Sequence, residues 1–374
     1  MNKKWVSTWG NAMSIAENRP ESYAKDITLR YSITTAFAGE KIRITLDNYC
    51  GTEQVNITKV TALHHGKFYG ITFGGKTSVT ISAKNAVVSD EIGICCNAKD
   101  DIEISIYLGE YTKLRSCVYA SGPLSIGKYA IGDYSEIEDI PIEVSRKTNI
   151  YYFLSNVSLY TEAHNRAIVC YGDSITAQDW PDYLQKRCFE QKDNRTSIVR
   201  RATSGSRILR QYSCITYESY GLMGMNRFEH EVPTDGADTV IIQQGINDII
   251  HPVGTDINPF RPMSDLPKVS EMIDGLKWYI KKAREYKYKV YVGTLLPIEG
   301  WRTYELFRNE MRNEFNEWIR NTDLIDGVID FDKAVADTCN QAAFLAEYDS
   351  GDHLHPSDRG YKRMAEEVDI TIIK

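Results

Sequence analysis

The order of hydrophobic and polar residues divides the chain into two halves of different character. In the first half, apolar residues alternate with polar ones at 29–33 and 42–46, and this period of two predicts strands with one buried face. The turn residues Ala38-Gly39-Glu40 between the two stretches predict that they form a hairpin. Further strands are predicted at 68–73, 78–81, 86–88, 92–95, 102–108 and 150–154. Many short strands at such intervals are typical of an antiparallel β-sandwich, and we expect one of the jelly-roll type.

In the second half, apolar runs alternate with longer stretches of helical periodicity. Strands are predicted at 168–171, 197–200, 240–243, 290–296 and 328–331, and helices at 180–191, about 264–286 and 304–320. This alternation predicts an α/β domain with a flavodoxin-like, doubly wound parallel sheet. The polar stretch 160–166 separates the halves, so we expect a β-sandwich domain at 1–163 and an α/β domain at 164–374.

Composition narrows the classes of partner. The chain has 374 residues, and 44 basic against 51 acidic side chains give a net charge of −7, so we expect neither nucleic acid nor an anionic membrane as a partner. The sequence begins without an apolar signal segment, which predicts a cytoplasmic protein, or a secreted one if the sequence has been trimmed. The eight cysteines lack the spacing of zinc ligands, and we expect reduced thiols.

A short apolar run stops at Gly172-Asp173-Ser174. In an open α/β sheet, ligands bind beyond the carboxyl ends of the strands, and this is where the pattern places Ser174. Taken alone, the three residues also fit a plain turn with a helix N-cap.

Three later stretches carry polar residues and glycines in similar positions. They are 203–207 after the second strand of the α/β half, 244–248 after the third strand, and 351–357 near the end of the chain. In a doubly wound sheet, all of these loops can open onto one edge. The spacing of Asp352 and His355 allows the carboxylate to orient the imidazole, although an isolated Asp-x-x-His is more often a surface ion pair.

In this order, the four stretches resemble the SGNH or GDSL hydrolase family. The resemblance rests on the following matches: Gly-Asp-Ser at 172–174, Ser-Gly at 204–205, Gly-x-Asn-Asp at 245–248 and Asp-x-x-His-Pro at 352–356. The segment Trp5-Val6-Ser7-Thr8-Trp9 and the β-rich first half also resemble the two-domain members that carry a jelly roll before the hydrolase domain. That subgroup includes carbohydrate acetyl esterases.

The resemblance implies a catalytic triad and an oxyanion hole. Ser174 is expected to be the nucleophile, His355 the general base and Asp352 the residue that orients the imidazole. The oxyanion is expected to be held by the backbone N–H groups of Ser174 and Gly205 and by the side-chain amide of Asn247. His353 is the rival imidazole, and we expect it to be a wall residue.

Other polar residues of these loops are given weaker roles. Asp173 and Asp248 are expected to hold loops through backbone hydrogen bonds. Four further residues are candidates for substrate contact, although they fit a role as plain walls of the site as well: Arg207, His251, Trp301 and Arg302. The chemistry needs no cofactor, and the sequence shows no constellation of metal ligands.

The sequence therefore predicts a serine esterase that removes small acyl groups, acetyl above all, from carbohydrate such as acetylated xylo-oligosaccharides. The acyl chemistry follows from the site residues, and the sugar follows from the resemblance. A lipid or thioester hydrolase with the same triad is the alternative, and a non-catalytic carbohydrate-binding protein is a third reading. The sequence leaves open whether the first half binds sugar or only packs, and whether the chain forms a homo-oligomer.

Overall fold

The computed structural model describes residues 2–15, 22–191 and 195–374. The chain folds into two compact units. One comprises Met1–Ala167 with the segments Cys188–Arg200 and Thr234–Gly236, and the other comprises Ile168–Arg187, Arg201–Pro233 and Ala237–Lys374. The domain limits expected from the sequence, 1–163 and 164–374, stay a prediction.

Up to residue 162, the described chain is built from strands, as the period of two predicts. The strands are β1 (Lys3–Gly10), β2 (Ser14–Ile15), β3 (Tyr23–Ala24), β4 (Ile27–Thr34), β5 (Lys41–Asp47), β6 (Val55–Ile57), β7 (Lys59–His64), β8 (Lys67–Ile71), β9 (Val79–Ile81), β10 (Ala86–Val88), β11 (Asp101–Leu108), β12 (Thr112–Lys113), β13 (Ser116–Tyr119), β14 (Ile126–Ile131), β15 (Arg146–Thr148), β16 (Ile150–Tyr152) and β17 (Leu154–Glu162).

Two larger antiparallel sheets organise these strands. One has the order β1-β17-β5-β10 and the other has the order β15-β14-β4-β11-β7-β8. The apolar residues at alternate positions of β4 and β11 are fully buried, for example Ile33 and Ile104. The antiparallel β architecture expected of the first half is therefore confirmed, whereas the jelly-roll topology stays a prediction.

The hairpin predicted for the first two stretches is wrong. β4 and β5 lie in different sheets, since β4 pairs with β11 and β14, while β5 pairs with β17 and β10. Residues 92–95 form no strand either, and Ile92 makes only an isolated bridge to Ile42. The reason is physical: alternation shows that a segment has one buried face, but the partner strand is chosen by packing far along the chain.

From residue 166 onward, strands and helices alternate. The elements are β18 (Arg166–Gly172), α1 (Ser174–Ala177), α2 (Trp180–Glu190), β19 (Thr196–Ala202), α3 (Gly224–Glu231), β20 (Ala237–Gln243), α4 (Ile246–Ile250), α5 (Val269–Glu285), β21 (Lys289–Gly293), α6 (Leu306–Asn321), β22 (Gly327–Ile329), α7 (Phe331–Val335), α8 (Asp358–Glu367) and α9 (Ile370–Ile373).

The strands of this half form one five-stranded sheet with the order β19-β18-β20-β21-β22. Numbered along the chain, this order is 2-1-3-4-5, and β20, β21 and β22 pair in parallel. The expected parallel sheet with connecting helices is confirmed, and its strand order is the flavodoxin-like one. In such a sheet, the loops that follow the first, second and third strands meet at the carboxyl edge.

The long helix is shorter than its apolar stripe suggests. The stripe predicts a helix from about residue 264, but α5 begins at Val269, after a single 3-10 turn at Met263–Asp265. Pro267 accounts for the difference, because a proline disfavours the helical conformation of the residue before it. No helix among the described residues combines the length and the apolar character that a membrane crossing requires.

Candidate active site

Ser174 follows the first strand of the parallel sheet directly. β18 ends at Gly172, and α1 begins at Ser174. Gly172 is required because a Cβ atom at this position would lie 2.4 Å from the carbonyl oxygen of Gln243 on the neighbouring strand. The φ of Gly172 is ordinary, so the close approach of the neighbouring strand, and not a special backbone angle, is what excludes a side chain.

The hydroxyl of Ser174 contacts the imidazole of His355, which in turn contacts Asp352. The Ser174 Oγ lies 2.9 Å from His355 Nε2, and His355 Nδ1 lies 2.7 Å from Asp352 Oδ2. Because an ionised carboxylate only accepts hydrogen bonds, Nδ1 carries the ring proton and Nε2 is left free to accept from the serine hydroxyl. The structure thus brings together the three residues expected to form the triad.

Asp352 is fixed by the loop that also carries the histidine. Its Oδ1 accepts hydrogen bonds from the backbone N–H groups of Leu354 and His355, at 2.9 and 2.8 Å. Partial burial raises the pKa of Asp352, but the hydrogen bonds from the His355 ring and from these two N–H groups outweigh it and hold the pKa well below the ordinary value. Asp352 is therefore an anion at neutral pH.

His353, the rival imidazole, is engaged elsewhere. Its Nδ1 lies 2.5 Å from Asp349 Oδ2, and its side chain is half exposed. The residue has a φ of 63°, a left-handed conformation that is uncommon outside glycine. His353 does not lie among the residues that line the pocket around Ser174.

The three groups expected to bind the oxyanion come from three separate segments of the chain. Asn247 stands in the first turn of α4, is almost fully buried, and donates one amide hydrogen to the carbonyl of Ser206 at 3.1 Å. Its second amide hydrogen is thereby oriented. In the described part of the chain, the N–H groups of Ser174 and Gly205 have no acceptor, and both residues line the same pocket as Asn247.

The loop that carries Gly205 is held by backbone constraints and by a buried carboxylate. Gly205 has a φ of 78°, and a Cβ there would lie 2.4 Å from the ring of Tyr220, so only glycine fits. Asp248 accepts hydrogen bonds from the N–H groups of Ile208 and Leu209, at 2.7 and 3.2 Å. Asp248 thus holds this loop through two backbone hydrogen bonds. Its burial raises its pKa to about 6.

Asp173 is fully buried beside the nucleophile. One carboxyl oxygen caps α1 by accepting from the N–H of Ile175 at 3.1 Å, as expected of a loop-holding residue. The other oxygen has no hydrogen-bond partner among the described residues. Burial raises the pKa of Asp173 to about 7, against only partial opposition from the Ile175 N–H, His355 and Arg227.

A pocket of about 270 Å³ opens at Ser174. It is lined by Ser174, Gln178, Ser204, Gly205, Tyr220, Asn247, Ile250, His251, Trp301, Arg302, Leu354 and His355. Three of the four side chains expected to contact substrate, His251, Trp301 and Arg302, therefore line this pocket. Sequence reasoning missed Gln178, Tyr220, Ile250 and Leu354, because nothing in their local pattern marks them as part of a pocket wall.

Arg207 is the exception among the expected contacts. Its guanidinium is buried over the ring of Tyr212 at 4.4 Å and lies 3.4 Å from Asp265, so it does not line the pocket. The position of Arg207 thus favours a role in the electrostatics of the wall and not in direct contact.

His251, which does line the pocket, presents a neutral ring. Its burial, followed by the positive charges of Arg261, Arg207 and Arg302, holds its pKa well below the ordinary value.

Sequence reasoning also missed Arg227, which ties the loops of the site together. This fully buried guanidinium donates to the carbonyl of Gly172 at 2.6 Å and to Ser206 Oγ at 3.2 Å, and it pairs with Glu231. Its only local signal is the i, i+4 spacing of Arg227 and Glu231, which is common on exposed helices.

The described residues include one group of side chains that could share a metal ion, and it lies in the first unit.

The arrangement can perform acyl transfer. A serine oxygen faces an imidazole that is oriented by an anion, and N–H donors surround the same pocket. A family model, described as the GDSL-like Lipase/Acylhydrolase family, matches residues 170–363, just over half of the chain. The chain belongs to this family. Membership in the GDSL-like acylhydrolases implies hydrolase activity.

Comparison of this GDSL-like acylhydrolase with solved structures gives relatives at low identity. A GDSL-like lipase from Bacteroides thetaiotaomicron shares 19% identity over 56% of this chain and 87% of its own, with a TM-score of 0.39. A member of the lipolytic protein G-D-S-L family from Veillonella parvula shares 17% over 54% and 95%, with a TM-score of 0.36. A catalytic mutant of an acetylxylan esterase from Geobacillus stearothermophilus shares 16% over 54% and 91%, with a TM-score of 0.40. No curated protein sequence matches the chain.

Proposed function

We propose that this GDSL-like acylhydrolase is a serine esterase that removes acetyl and similarly small acyl groups from carbohydrate, such as acetylated xylo-oligosaccharides. The observation that carries the proposal is the hydrogen-bonded series Ser174, His355 and Asp352 at the mouth of a pocket that also exposes Asn247.

The geometry supports a two-step reaction through an acyl-enzyme. The Ser174 oxygen attacks the ester carbonyl while His355 Nε2 takes its proton, and the C–O bond to the sugar breaks as the imidazolium returns that proton to the leaving hydroxyl. Water then attacks the acyl-serine with the same base, releasing the carboxylic acid and free serine. Asp352 stabilises the imidazolium in both steps. Asn247 and the N–H groups of Ser174 and Gly205 hold the negative oxygen.

The dimensions of the pocket favour a small acyl group. Its volume of about 270 Å³ lies below the 300–1,000 Å³ or so of pockets that enclose drug-sized ligands. Ile250 and Leu354 supply an apolar wall, which suffices for a methyl group but offers little surface to a long hydrocarbon chain.

The remaining wall favours a polar leaving group. Trp301 and Tyr220 supply aromatic surface, while Gln178, His251 and Arg302 supply hydrogen-bonding groups. Aromatic rings combined with such polar groups suit the mixed surface of a sugar. Arg302 is exposed beside the Trp301 ring, 4.6 Å from its centre. A lipid substrate, the alternative, would leave these polar groups unpaired on binding.

The experiment is an assay of acetate release from a panel of acetylated oligosaccharides, together with rates on aryl acetate and aryl octanoate. We expect release from at least one sugar and a steep fall in rate from acetate to octanoate. Ser174→Ala should abolish activity, whereas Ser213→Ala, a change at an exposed serine of the same unit, should not. A preference for octanoate would favour the lipid reading, and an inactive parent protein that binds sugar would favour the non-catalytic one.

A further inference from the structure

The first unit brings two adjacent histidines and an aspartate to one point. His64 Nε2 and His65 Nε2 lie 3.2 and 3.3 Å from the same carboxylate oxygen, Oδ2 of Asp100. The three potential ligand atoms all lie within 4.8 Å of one another. We propose that His64, His65 and Asp100 form a binding site for a divalent transition-metal ion of the zinc class.

The separations match those between ligands of one metal ion. A tetrahedral zinc ion with bonds of about 2.0–2.2 Å separates its ligand atoms by about 3.3–3.5 Å. The distances from Asp100 Oδ2 to the two imidazole nitrogens, 3.2 and 3.3 Å, are close to this edge length. Two of the three separations between ligand atoms therefore match those around one metal ion, and the third is at most 4.8 Å.

Hydrogen bonding alone explains these distances less well. The two other imidazole–carboxylate contacts described above, His355–Asp352 and His353–Asp349, measure 2.7 and 2.5 Å. The first is a length expected when a ring N–H donates to an anion, and the second is shorter still. The two contacts of Asp100, at 3.2 and 3.3 Å, are longer than a strong charge-assisted hydrogen bond and close to the separation of two ligands of one metal ion. Asp100 Oδ2 already accepts from the N–H of Asn97 at 2.8 Å.

The backbone turn explains how two neighbouring histidines can point the same way. Successive side chains of a strand point to opposite faces, so adjacent residues ordinarily cannot chelate one ion. His64 ends β7, Lys67 begins β8, and the two pair across a two-residue turn. Both turn residues, His65 and Gly66, have positive φ, at 49° and 72°. A histidine in this conformation is uncommon and carries some strain, and here it brings the His65 ring to 4.0 Å from that of His64.

Burial and charge also suit a cation. The His64 side chain is 4% exposed and that of Asp100 is 17% exposed, whereas His65 is 70% exposed, so the site has a firm base and an open side. Asp100 contributes a carboxylate oxygen to the site, and the two histidines contribute ring nitrogens.

The ligand set selects the class of metal. Two imidazoles with one carboxylate suit zinc and its neighbours in the first transition row, whereas magnesium and calcium prefer oxygen ligands alone. Three protein ligands leave at least one position for water. Bound metal would link the β7–β8 turn to the loop that precedes β11, and would therefore stabilise the first unit against unfolding.

The test uses the full chain, stripped of metal by a chelator and dialysed. Zinc chloride is titrated into it in a calorimeter, and cobalt(II) is added separately to record its visible absorption. We expect one zinc ion to bind per chain and to raise the melting temperature. The visible absorption of bound cobalt(II) should be that of an ion with few ligands. His65→Ala, a change at an exposed position, should weaken zinc binding by more than the roughly 10–100-fold that loss of an outer partner costs.

Three further variants test whether zinc binding is specific to this site. His164→Ala, a change at an exposed histidine of the same unit, should bind zinc like the parent protein. His353→Ala should also bind it, which excludes capture of the ion by the histidines near Ser174. Asp100→Asn should fold, as judged by circular dichroism, and weaken binding. Absence of zinc binding by the parent protein, or binding unchanged in both His65→Ala and Asp100→Asn, would overturn the proposal.

Discussion

The Nε2 atom of His355 lies 2.9 Å from the Oγ atom of Ser174, although 181 positions separate the two residues in the chain. One follows the first strand of the parallel sheet, and the other stands in the loop before α8. A contact of this length between groups so distant depends on the whole α/β half. Its direction, with the serine donating, follows from the carboxylate on the far side of the ring.

The two neighbouring histidines of that loop should differ sharply in function. We expect His355→Ala to lower kcat by about 10⁴-fold or more, because it removes the only base in contact with Ser174 in the described structure. His353→Ala should retain most activity, since that ring pairs with Asp349. Steady-state kinetics on an aryl acetate checks both variants. Equal losses in the two would show that the loop, and not the imidazole, matters.

Asn247 should matter through its amide hydrogens. We expect Asn247→Asp to lower kcat by about 10²–10³-fold, the usual cost of an oxyanion donor, because a carboxylate accepts where the amide donates. Asn247→Ala removes the donor without adding charge and should show a similar loss. Melting temperatures separate this effect from damage to the fold, since the amide also bonds to Ser206. Near-normal turnover in Asn247→Ala would remove this residue from the proposed oxyanion hole.

Asp173 should make stability depend on pH. Its ordinary pKa is 3.8, and burial raises the pKa to about 7 in the folded chain. Between these values the folded state holds a proton that the unfolded state has lost, so this group lowers the free energy of unfolding as pH rises from about 4 to 7. The decrease amounts to up to about 4 kcal/mol, at about 1.36 kcal/mol per pKa unit.

Urea unfolding at pH 4.5, 6 and 8 measures this dependence. Asp173→Asn should remove the part of the slope that Asp173 contributes, leaving a flatter profile than that of the parent protein. Asp256→Asn, at an exposed aspartate of the same unit, should leave the slope unchanged. If the parent and Asp173→Asn lost stability in parallel across this range, Asp173 would be ionised equally in both states.

Trp301 and Arg302 should contribute to binding of the sugar part of the substrate and not to binding of the acyl group. They line the pocket with their side chains 4.6 Å apart, but neither contacts the triad in the described hydrogen-bond pattern. We expect Trp301→Ala and Arg302→Ala to raise KM for an acetylated oligosaccharide by about 10-fold, since a well-placed contact contributes about 1.4 kcal/mol. The kcat/KM for a small aryl acetate should change little. A loss of the same size on both substrates would instead indicate a displaced triad.

Much of the α/β half could be predicted from the sequence because its signals are local. An apolar strand that ends at a glycine, as at Gly172, places the next residues at the carboxyl edge of a parallel sheet wherever the sheet lies. The spacing of Asp352 and His355 likewise brings the two side chains within reach in a single loop. Arg207 shows the limit of such reasoning, because its loop position was right but packing turned its guanidinium toward Tyr212 and Asp265.

In the β half, even less of the tertiary structure could be predicted from local sequence patterns. Alternation located β4 and β5 but not their partners, which lie up to about 120 positions away along the chain. The adjacency of His64 and His65 gave no signal of a shared site, since neighbouring residues of a strand diverge unless a turn intervenes.

By itself, the sequence determined which residues could carry the chemistry and which segments would be strands or helices, because both depend on residue type and on spacing within a few turns of chain. Tertiary structure alone decided which of those residues meet. The contacts of Ser174 with His355 and of Asp100 with two histidines arise from packing of distant segments, and packing is set by the burial of the whole core and not by any local pattern.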